Sequence, residues 1–370
     1  MGIGTSSDDV RRRNLSAVLT LVHRQRALTR AELTRRTGLS RSTVKDLVAE
    51  LADAGLVEET QPTGSGAAVG VGRPSPVVRP SRRVLAVAVN PEIDAVTVAL
   101  VTLGGAVSET ARIPTPTIPS AADMVRIAAA AIAELRAALP AGCLLTSIGL
   151  AVPGLVHAPG STVQLAPHLG WHDEKVGEML HAATDLTVLA ANDANVGAVA
   201  EHLFGGHPHA DHMVYVNGGA SGIGAGFVVA GELLEGAEGY AGELGHTYVG
   251  GDLPCHCGAV GCLETQVTQS VTRGDLDEQA RYLGIALGGA INVMNPRLIV
   301  LGGFLRAFPE QAADALHAAV ARHSMAAPRA AVRIVAASLG FETLMIGAAE
   351  LAFGPLLADP AGYRAASAAG

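Results

Sequence analysis

The stretch Cys255-His256-Cys257-Gly258-Ala259-Val260-Gly261-Cys262-Leu263-Glu264 gathers three of the chain's four cysteines. A disulfide framework would spread its cysteines along the chain, so this cluster reads as a metal site in a reducing compartment. Three thiolates with glycines for the turns are the raw material of a tetrahedral zinc centre, which needs one more ligand. His246, just upstream in Gly242-Glu243-Leu244-Gly245-His246, is the candidate; His256 is flanked on both sides by residues that already serve. With Cys255, Cys257, Cys262 and His246 as ligands no position stays open, so one structural zinc per chain is expected. Cys143 lies in an apolar stretch and reads as an inert buried thiol.

Three segments upstream carry chemistry, each with two readings. Asn192-Asp193-Ala194-Asn195 follows the apolar run 187–191. A carboxylate between amides at a strand end suits the hydroxyls of a polyol, with Asp193 placed as a general base; a helix N-cap uses the same residue types. The glycines of Gly218-Gly219-Ala220-Ser221-Gly222-Ile223-Gly224-Ala225-Gly226 let a backbone approach phosphate, or make a tight bend between strands. Glu243 and His246, three residues apart, either face a ligand together or leave the histidine satisfied in the core.

Around these segments, apolar runs at 84–89, 95–101, 147–152, 187–191, 213–216 and 298–301 read as buried strands. Ala-rich helical stretches at 123–138, 277–293 and 310–323 lie between several of them. The alternation predicts an α/β body after residue 83, too long for one core and therefore two lobes with a cleft between them.

The first eighty residues follow a different pattern. Leu15, Val18, Leu19 and Val22 keep helical spacing; Thr29-Arg30-Ala31-Glu32 is a capping box opening a second helix that ends at Gly38. Ser40 caps a third helix with the apolar stripe Val44, Leu47, Val48 and Leu51, stopped at Gly55. Leu56-Val57-Glu58 and Val77-Val78 are the arms of a hairpin across a Gly/Pro-rich tip. Three helices and a hairpin in this order make a winged helix-turn-helix over residues 12–80. Its third helix must turn the apolar stripe inward, which leaves Arg41, Ser42, Thr43 and Lys45 to reach base edges and phosphates. In Gly72-Arg73-Pro74, Arg73 is placed to enter a narrow minor groove, or the triplet is a plain turn. Residues 1–10, with Ser6, Ser7, Asp8 and Asp9, read as a solvated tail, and the Ala-rich stretch after Asp359 as a frayed end.

Charge divides the chain at the same place. Residues 1–83 hold 14 Lys/Arg against 8 Asp/Glu, whereas the other 287 hold 12 against 26, within a net charge of −8. Only the head is suited to a polyanion. Apolar residues make up 49% of the chain, which excludes general disorder, yet no run of 18 apolar residues and no N-terminal signal core is present. A cytoplasmic protein without a membrane segment is expected.

Together these motifs resemble the repressor/ORF/kinase (ROK) family, and the head resembles its regulator branch; the match runs from about residue 12 to 355. Ala151-Val152-Pro153-Gly154 and Ala166-Pro167-His168-Leu169-Gly170-Trp171 also look like family segments, with His168 where members often have Asn. Asn292 and residues 296–303 resemble the segment that contacts adenosine in the kinases. The resemblance implies an actin-like fold of two RNase H-type lobes, here 84–192 completed by 345–358, and 193–344. It implies a sugar or sugar phosphate between them, held by Asn192, Asp193, Glu243, His246 and Glu264. His246 then has two duties, one ring nitrogen on zinc and the other toward the sugar. Family kinases carry Asp-x-Gly-Gly-Thr after the first strand, but this chain has Asn90-Pro91-Glu92-Ile93-Asp94. Two carboxylates where phosphate must approach repel it, which speaks against kinase activity and leaves Asp193 a vestigial base. The expected partners are double-stranded operator DNA, a sugar effector, and a second copy of the chain in a homodimer or homotetramer. An ATP-dependent sugar kinase with an accessory DNA-binding head, and a regulator controlled by a protein partner, are the alternatives.

Overall fold

The computed structural model describes residues 7–61, 75–157, 161–207, 210–269 and 273–367. The head opens with α1 (Ser7–Gln25), β1 (Leu28–Thr29), α2 (Arg30–Thr37) and α3 (Arg41–Asp53), then β2 (Val57–Thr60) and β3 (Val77–Pro80). Thr29 forms the expected capping box: its hydroxyl accepts from the Glu32 N–H while its own N–H donates to Glu32 Oε2 at 2.8 Å. The Ser40 hydroxyl accepts from the Thr43 N–H and starts α3. β3 pairs antiparallel with both β1 and β2, making the wing sheet. Val44, Leu47, Val48 and Leu51 are buried, and Arg41, Ser42 and Lys45 stay exposed at the other face of α3.

Two departures from the expected ends follow from local physics. Residues 7–10 belong to α1, where Asp8 and Asp9 sit in the first turn and complement the helix dipole. After Asp359 the chain forms another helix rather than a frayed end, with the partly buried Tyr363 packed on the core.

The first lobe comprises β4 (Val84–Pro91), β5 (Ala95–Thr102), β6 (Ala106–Pro114), α4 (Ala121–Ala138), β7 (Leu144–Val152), β8 (Leu155–His157), β9 (Thr162–Ala166), β10 (Trp171–Glu174), α5 (Val176–Thr184) and β11 (Val188–Asn192). The second begins with α6 (Asp193–Phe204), β12 (His212–Gly219), β13 (Gly222–Val229), β14 (Glu232–Leu233), α7 (Leu263–Gln266) and α8 (Arg273–Met294). It continues through β15 (Leu298–Gly303), α9 (Ala307–Gln311), α10 (Ala313–His323), α11 (Ala326–Ala330) and β16 (Arg333–Ala336), before α12 (Thr343–Ala358) and α13 (Pro360–Ser367). The 310–323 stretch is two helices because the backbone leaves the helical region at Ala312.

The two main sheets share one design. Their orders are β6-β5-β4-β7-β11 and β14-β13-β12-β15-β16, each an antiparallel meander of three strands extended by two parallel ones. β4 is buried along its whole length, with Ala86 and Ala88 facing one core and Leu85, Val87 and Val89 another. α12 lies on the first sheet, where a Cβ at Gly149 would sit 1.7 Å from the Ala348 carbonyl oxygen. α6 lies on the second sheet, and α12 meets it so closely that a Cβ at Gly347 would be 2.0 Å from the Val196 carbonyl oxygen. The two helices therefore form the seam between the lobes. The stretch Gly340–Ala358 is apolar and long enough to cross a membrane, but more than half of it is buried here as the seam helix of the core.

Candidate functional site

β11 ends where α6 begins, and Asn192 makes that junction. Its Oδ1 accepts from the N–H groups of Ala194 (2.9 Å) and Asn195 (3.1 Å), and its Nδ2 donates to the Gly154 carbonyl (3.1 Å). The residue lines the cleft, but its amide is committed to capping α6 and anchoring the Pro153-Gly154 turn. The N-cap reading of the sequence therefore describes its main role.

Asp193, the next residue, faces a cleft of about 370 Å³ between the lobes. Burial, seconded by the Glu243 charge, pushes its carboxyl up to about 7 against the pull of the Ala194 N–H and the Asn217 side chain. Glu243, His246 and Glu264 line the same cleft from the second lobe. His246 Nε2 is 3.7 Å from Glu243 Oε2, and Nδ1 is 3.6 Å from Glu264 Oε1. Burial, with the Glu264 carboxylate beyond it, holds the Glu243 carboxyl above its ordinary range despite His246. Four of the five residues expected to meet a sugar thus line one place beside Asn192, with Asp193 Oδ1 already accepting from the Ala194 N–H at 2.7 Å.

The glycine-rich run is the β12–β13 hairpin, with register Gly219↔Gly222. It needs glycine for space as well as for the bend: Gly222 has φ of +103°, and a Cβ there would lie 2.4 Å from Glu264 Oε2.

Cys255, Cys257, Cys262 and His246 offer ligand atoms that all lie within 4.8 Å of one another. The Cys257 and Cys262 sulfurs are 3.7 Å apart and the Cys255 sulfur is 3.5 Å from His246 Nδ1. A tetrahedron with Zn–S bonds of about 2.3 Å has edges of about 3.8 Å, so the donor set fits zinc in spacing as well as in chemistry. Cys262 and Cys255 are buried while Cys257 is exposed. Two antiparallel bridges, Tyr248↔Cys262 and Pro254↔Val260, hold the loop, and the Cys255 thiol donates to Glu264 Oε1 at 3.0 Å. Any metal here sits one side chain away from the cleft. Cys143 is half-buried and far from this cluster in the fold.

Other cleft residues had no role assigned from the sequence, although His168 stood in one of the family-like segments. His168 Nε2 is 3.8 Å from Glu264 Oε2, and its ring stands edge-on to His256 at 4.7 Å. Asn217 receives the buried Tyr215 hydroxyl at 3.2 Å and reaches Asp193; its one signal is a polar side chain directly after the run 213–216. Asn292 is not in the cleft: its amide ties α8 to the 323–325 turn by bonds to His323 and Met325. In the first lobe, Glu92 and Asp94 are held by Arg112 of β6, at 3.3 and 2.9 Å. The repulsion expected of these two carboxylates is therefore partly neutralised; what stands in the way of a phosphate is an ion-paired cluster rather than two free charges.

In the head, Arg41, Ser42 and Lys45 project from the start of α3 and Thr43 is partly buried. Arg73 lies outside the described residues.

A winged-helix head ahead of two lobes of repeated strand order, with a cleft between them where acidic and imidazole side chains converge and a Cys3His cluster beside it on the second lobe, defines a class: regulators built on a sugar-kinase scaffold. The chain belongs to the ROK family, whose model matches residues 86–273 and 267–354, and the MarR family model matches residues 13–66 of the head. The chain is 27% identical over 263 residues to the xylose repressor of Caldicellulosiruptor bescii, covering 60% of this chain and 65% of that one. It is 31% identical over 251 residues to the glucokinase of Halalkalibacterium halodurans, covering 55% of this chain and 74% of the enzyme. The chain thus spans about two thirds of the length of that repressor. The crystal structure of a ROK family transcriptional regulator, a homologue of the E. coli MLC protein, superposes over 96% of this chain and 98% of that one. Its TM-score is 0.76 at 25% identity.

Proposed function

We propose that the chain is a sugar-responsive transcriptional repressor of the cytoplasm, acting as a homodimer or homotetramer. It reads double-stranded operator DNA through Arg41, Ser42, Thr43 and Lys45, with Arg73 as a further contact. A sugar or sugar phosphate binds between the lobes. The observation that carries this reading is the union, in one chain, of an exposed basic helix start with a cleft where Asp193, Glu243, His246 and Glu264 converge. Acidic and imidazole side chains around a small cavity suit the many hydroxyls of a sugar. Cys255, Cys257, Cys262 and His246 would hold one structural zinc, which supplies rigidity to the loop that carries Glu264. Four protein ligands leave it no open position for chemistry.

One observation favours an ATP-dependent kinase: a buried carboxyl raised to about 7 is what a general base requires. Against it stands the Glu92–Arg112–Asp94 cluster in place of a phosphate loop, without which the base has no donor to work on.

The direct test is titration of the purified chain with DNA from its own promoter at low salt, with and without D-xylose and D-glucose. Specific binding relieved by one of the sugars is the expected result; no binding under either condition would sink the proposal. Arg41→Ala and Lys45→Ala should each weaken binding by roughly tenfold, in line with about 1–3 kcal/mol per good contact. If one of them contacts only phosphate, its loss should flatten the plot of log affinity against log salt by about one unit.

A second expectation concerns pH. If sugar hydroxyls donate to ionised Asp193, sugar affinity should rise with pH and level off above about 7, where the carboxyl is already charged. Calorimetric titrations between pH 5.5 and 8.5 check this, and Asp193→Asn should remove that part of the slope. An affinity that falls as pH rises would instead mean that the protonated acid donates to the sugar.

A further inference from the structure

We propose that His23 of the head senses the relative position of α6 and α12, and that this contact carries sugar occupancy from the cleft to the DNA-binding helices. The inference rests on the sugar-responsive reading above.

His23 is completely buried although it belongs to α1. Its Nδ1 accepts from the Gly104 N–H at 2.8 Å, so Nε2 carries the proton and donates to Glu350 Oε2 at 2.6 Å. Gly104 lies in the β5–β6 turn and Glu350 on α12, both on the first lobe. The ring also stands edge-on to two phenylalanines, Phe353 of α12 at 5.5 Å and Phe204 of α6 at 5.6 Å. Arg26 repeats the arrangement: its Nε donates to the Gly104 carbonyl at 2.9 Å, and its guanidinium lies 5.1 Å from the centre of the Phe204 ring. The head is thus attached to the first lobe through Gly104, Glu350 and Phe353, and to the helix of the second lobe through Phe204.

Phe204 and Asp193 are the two ends of α6. A helix of this length is a stiff rod of about 18 Å, so its ends move together. α6 goes with the second sheet: a Cβ at Gly226 would be 2.6 Å from the Ala198 Cβ and 2.7 Å from the Ala194 carbonyl oxygen. α12 goes with the first sheet through Gly149. A sugar held by Asp193, Glu243, His246 and Glu264 that also engages the first-lobe wall of the cleft, at Pro153, Gly154 and His168, changes the angle between the sheets. Phe204 then slides across His23 and Arg26 while Gly104 and Glu350 hold their other sides. α1 shares a core with α3 through Leu15, Val18, Leu19 and Val22, so the displacement reaches the recognition helix. A ligand shifts such an equilibrium only through its different affinity for the two arrangements, and closure of the cleft supplies that difference.

His23, Arg26, Phe204 and Glu350 are positioning residues here, touching neither sugar nor DNA. The test measures operator affinity of the full chain with and without saturating D-xylose, or D-glucose if that is the sugar that acts. In the unaltered protein the sugar should weaken operator binding at least tenfold. In Phe204→Ala and Glu350→Ala that factor should fall below two, while sugar affinity and sugar-free operator affinity each stay within threefold. Glu350→Gln keeps a carbonyl acceptor for Nε2–H and should keep the response, which a loss of packing alone would not predict. Should the Ala variants fold poorly, Arg26→Gly serves in their place: Arg26 has φ of +61°, so glycine relieves the backbone there while removing the side chain from Phe204. A full response in the folded variants overturns the proposal and leaves the sugar reading intact. Indifference of the unaltered protein to both sugars overturns the sugar reading itself, and is seen before any variant is made.

Discussion

With zinc in the Cys3His cluster as proposed, Cys262→Ser is expected to abolish metal binding and to cost at least a hundredfold in sugar affinity, with both sheets still folded. Cys262 is 1% exposed and stands immediately before α7, which carries Glu264 into the cleft. The base of the loop it closes is held by buried Val249 and Leu263 and by the Tyr248↔Cys262 bridge. The segment 254–260 that carries Cys255 and Cys257 has only backbone bonds, such as Cys255 N–H to the Ala259 carbonyl at 2.9 Å. Structural zinc sites contribute binding energies of order 10 kcal/mol or more, and loss of one thiolate of four removes the closed coordination on which that energy depends. Glu264 and His246 would then lose their common anchor. Charged hydrogen bonds to a ligand are worth about 1.5–3 kcal/mol each, so two lost contacts amount to a hundredfold or more. The sheets have cores of their own in Val214, Val216, Ile299 and Leu301 on one side and Val87, Val98 and Leu150 on the other. Cys143→Ser is the matched control and should leave zinc content unchanged. Elemental analysis and calorimetric sugar titration decide the matter; native protein without zinc that still answers to sugar would refute the role given to the cluster.

The residues that could be read in sequence are those whose partners lie a few positions away. The capping box at Thr29 and Glu32, the stripe from Val44 to Leu51 and the spacing of Cys255, Cys257 and Cys262 are local patterns, set by helix pitch and turn geometry. His246 followed from them because the cluster lacked a fourth donor. The converse holds for Asn192, whose two readings were separated only by the Gly154 carbonyl, a partner 38 positions away. His23 meets Glu350 across 327 positions and Ser338 meets Glu201 across 137. Such pairs have no period and no spacing, and a buried histidine in an amphipathic helix looks like any other half-polar core position. The same reason hid Arg112: Glu92 and Asp94 read as free charges because their partner is on another strand.

Glu201→Ala should be a costly truncation outside the cleft, destabilising the chain by about 3 kcal/mol. Glu201 is fully buried on α6, three residues before Phe204. Its Oε1 accepts from the Leu339 N–H at 2.9 Å and the Thr343 hydroxyl at 3.4 Å. Its Oε2 accepts from the Ser338 hydroxyl at 2.9 Å and from His207 Nε2–H at 3.0 Å. Alanine would leave the Leu339 N–H without an acceptor and His207 Nε2–H with only the Ser338 hydroxyl at 3.3 Å, where α6 is tied to the start of α12. The Ser338 and Thr343 hydroxyls keep the Gly205 and Gly340 carbonyls at 2.7 and 2.9 Å. Ser338→Ala removes one donor only and should cost about 1 kcal/mol. The carboxylate also dictates a response to acid. Burial alone would raise it, but the bonds from His207, Leu339 and Ser338 outweigh burial and hold it below the ordinary glutamate value. A carboxylate depressed by folding stabilises the fold fully above the unfolded value of about 4.3, and loses that contribution as the pH falls toward the folded one. The unaltered chain should therefore lose stability on acidification below about pH 5 more steeply than Glu201→Ala, which has nothing left to protonate there. Denaturant unfolding from pH 3 to 7 measures both effects. A cost under 1 kcal/mol at neutral pH, or identical acid limbs for the two proteins, would show that the four bonds are not what joins the helices.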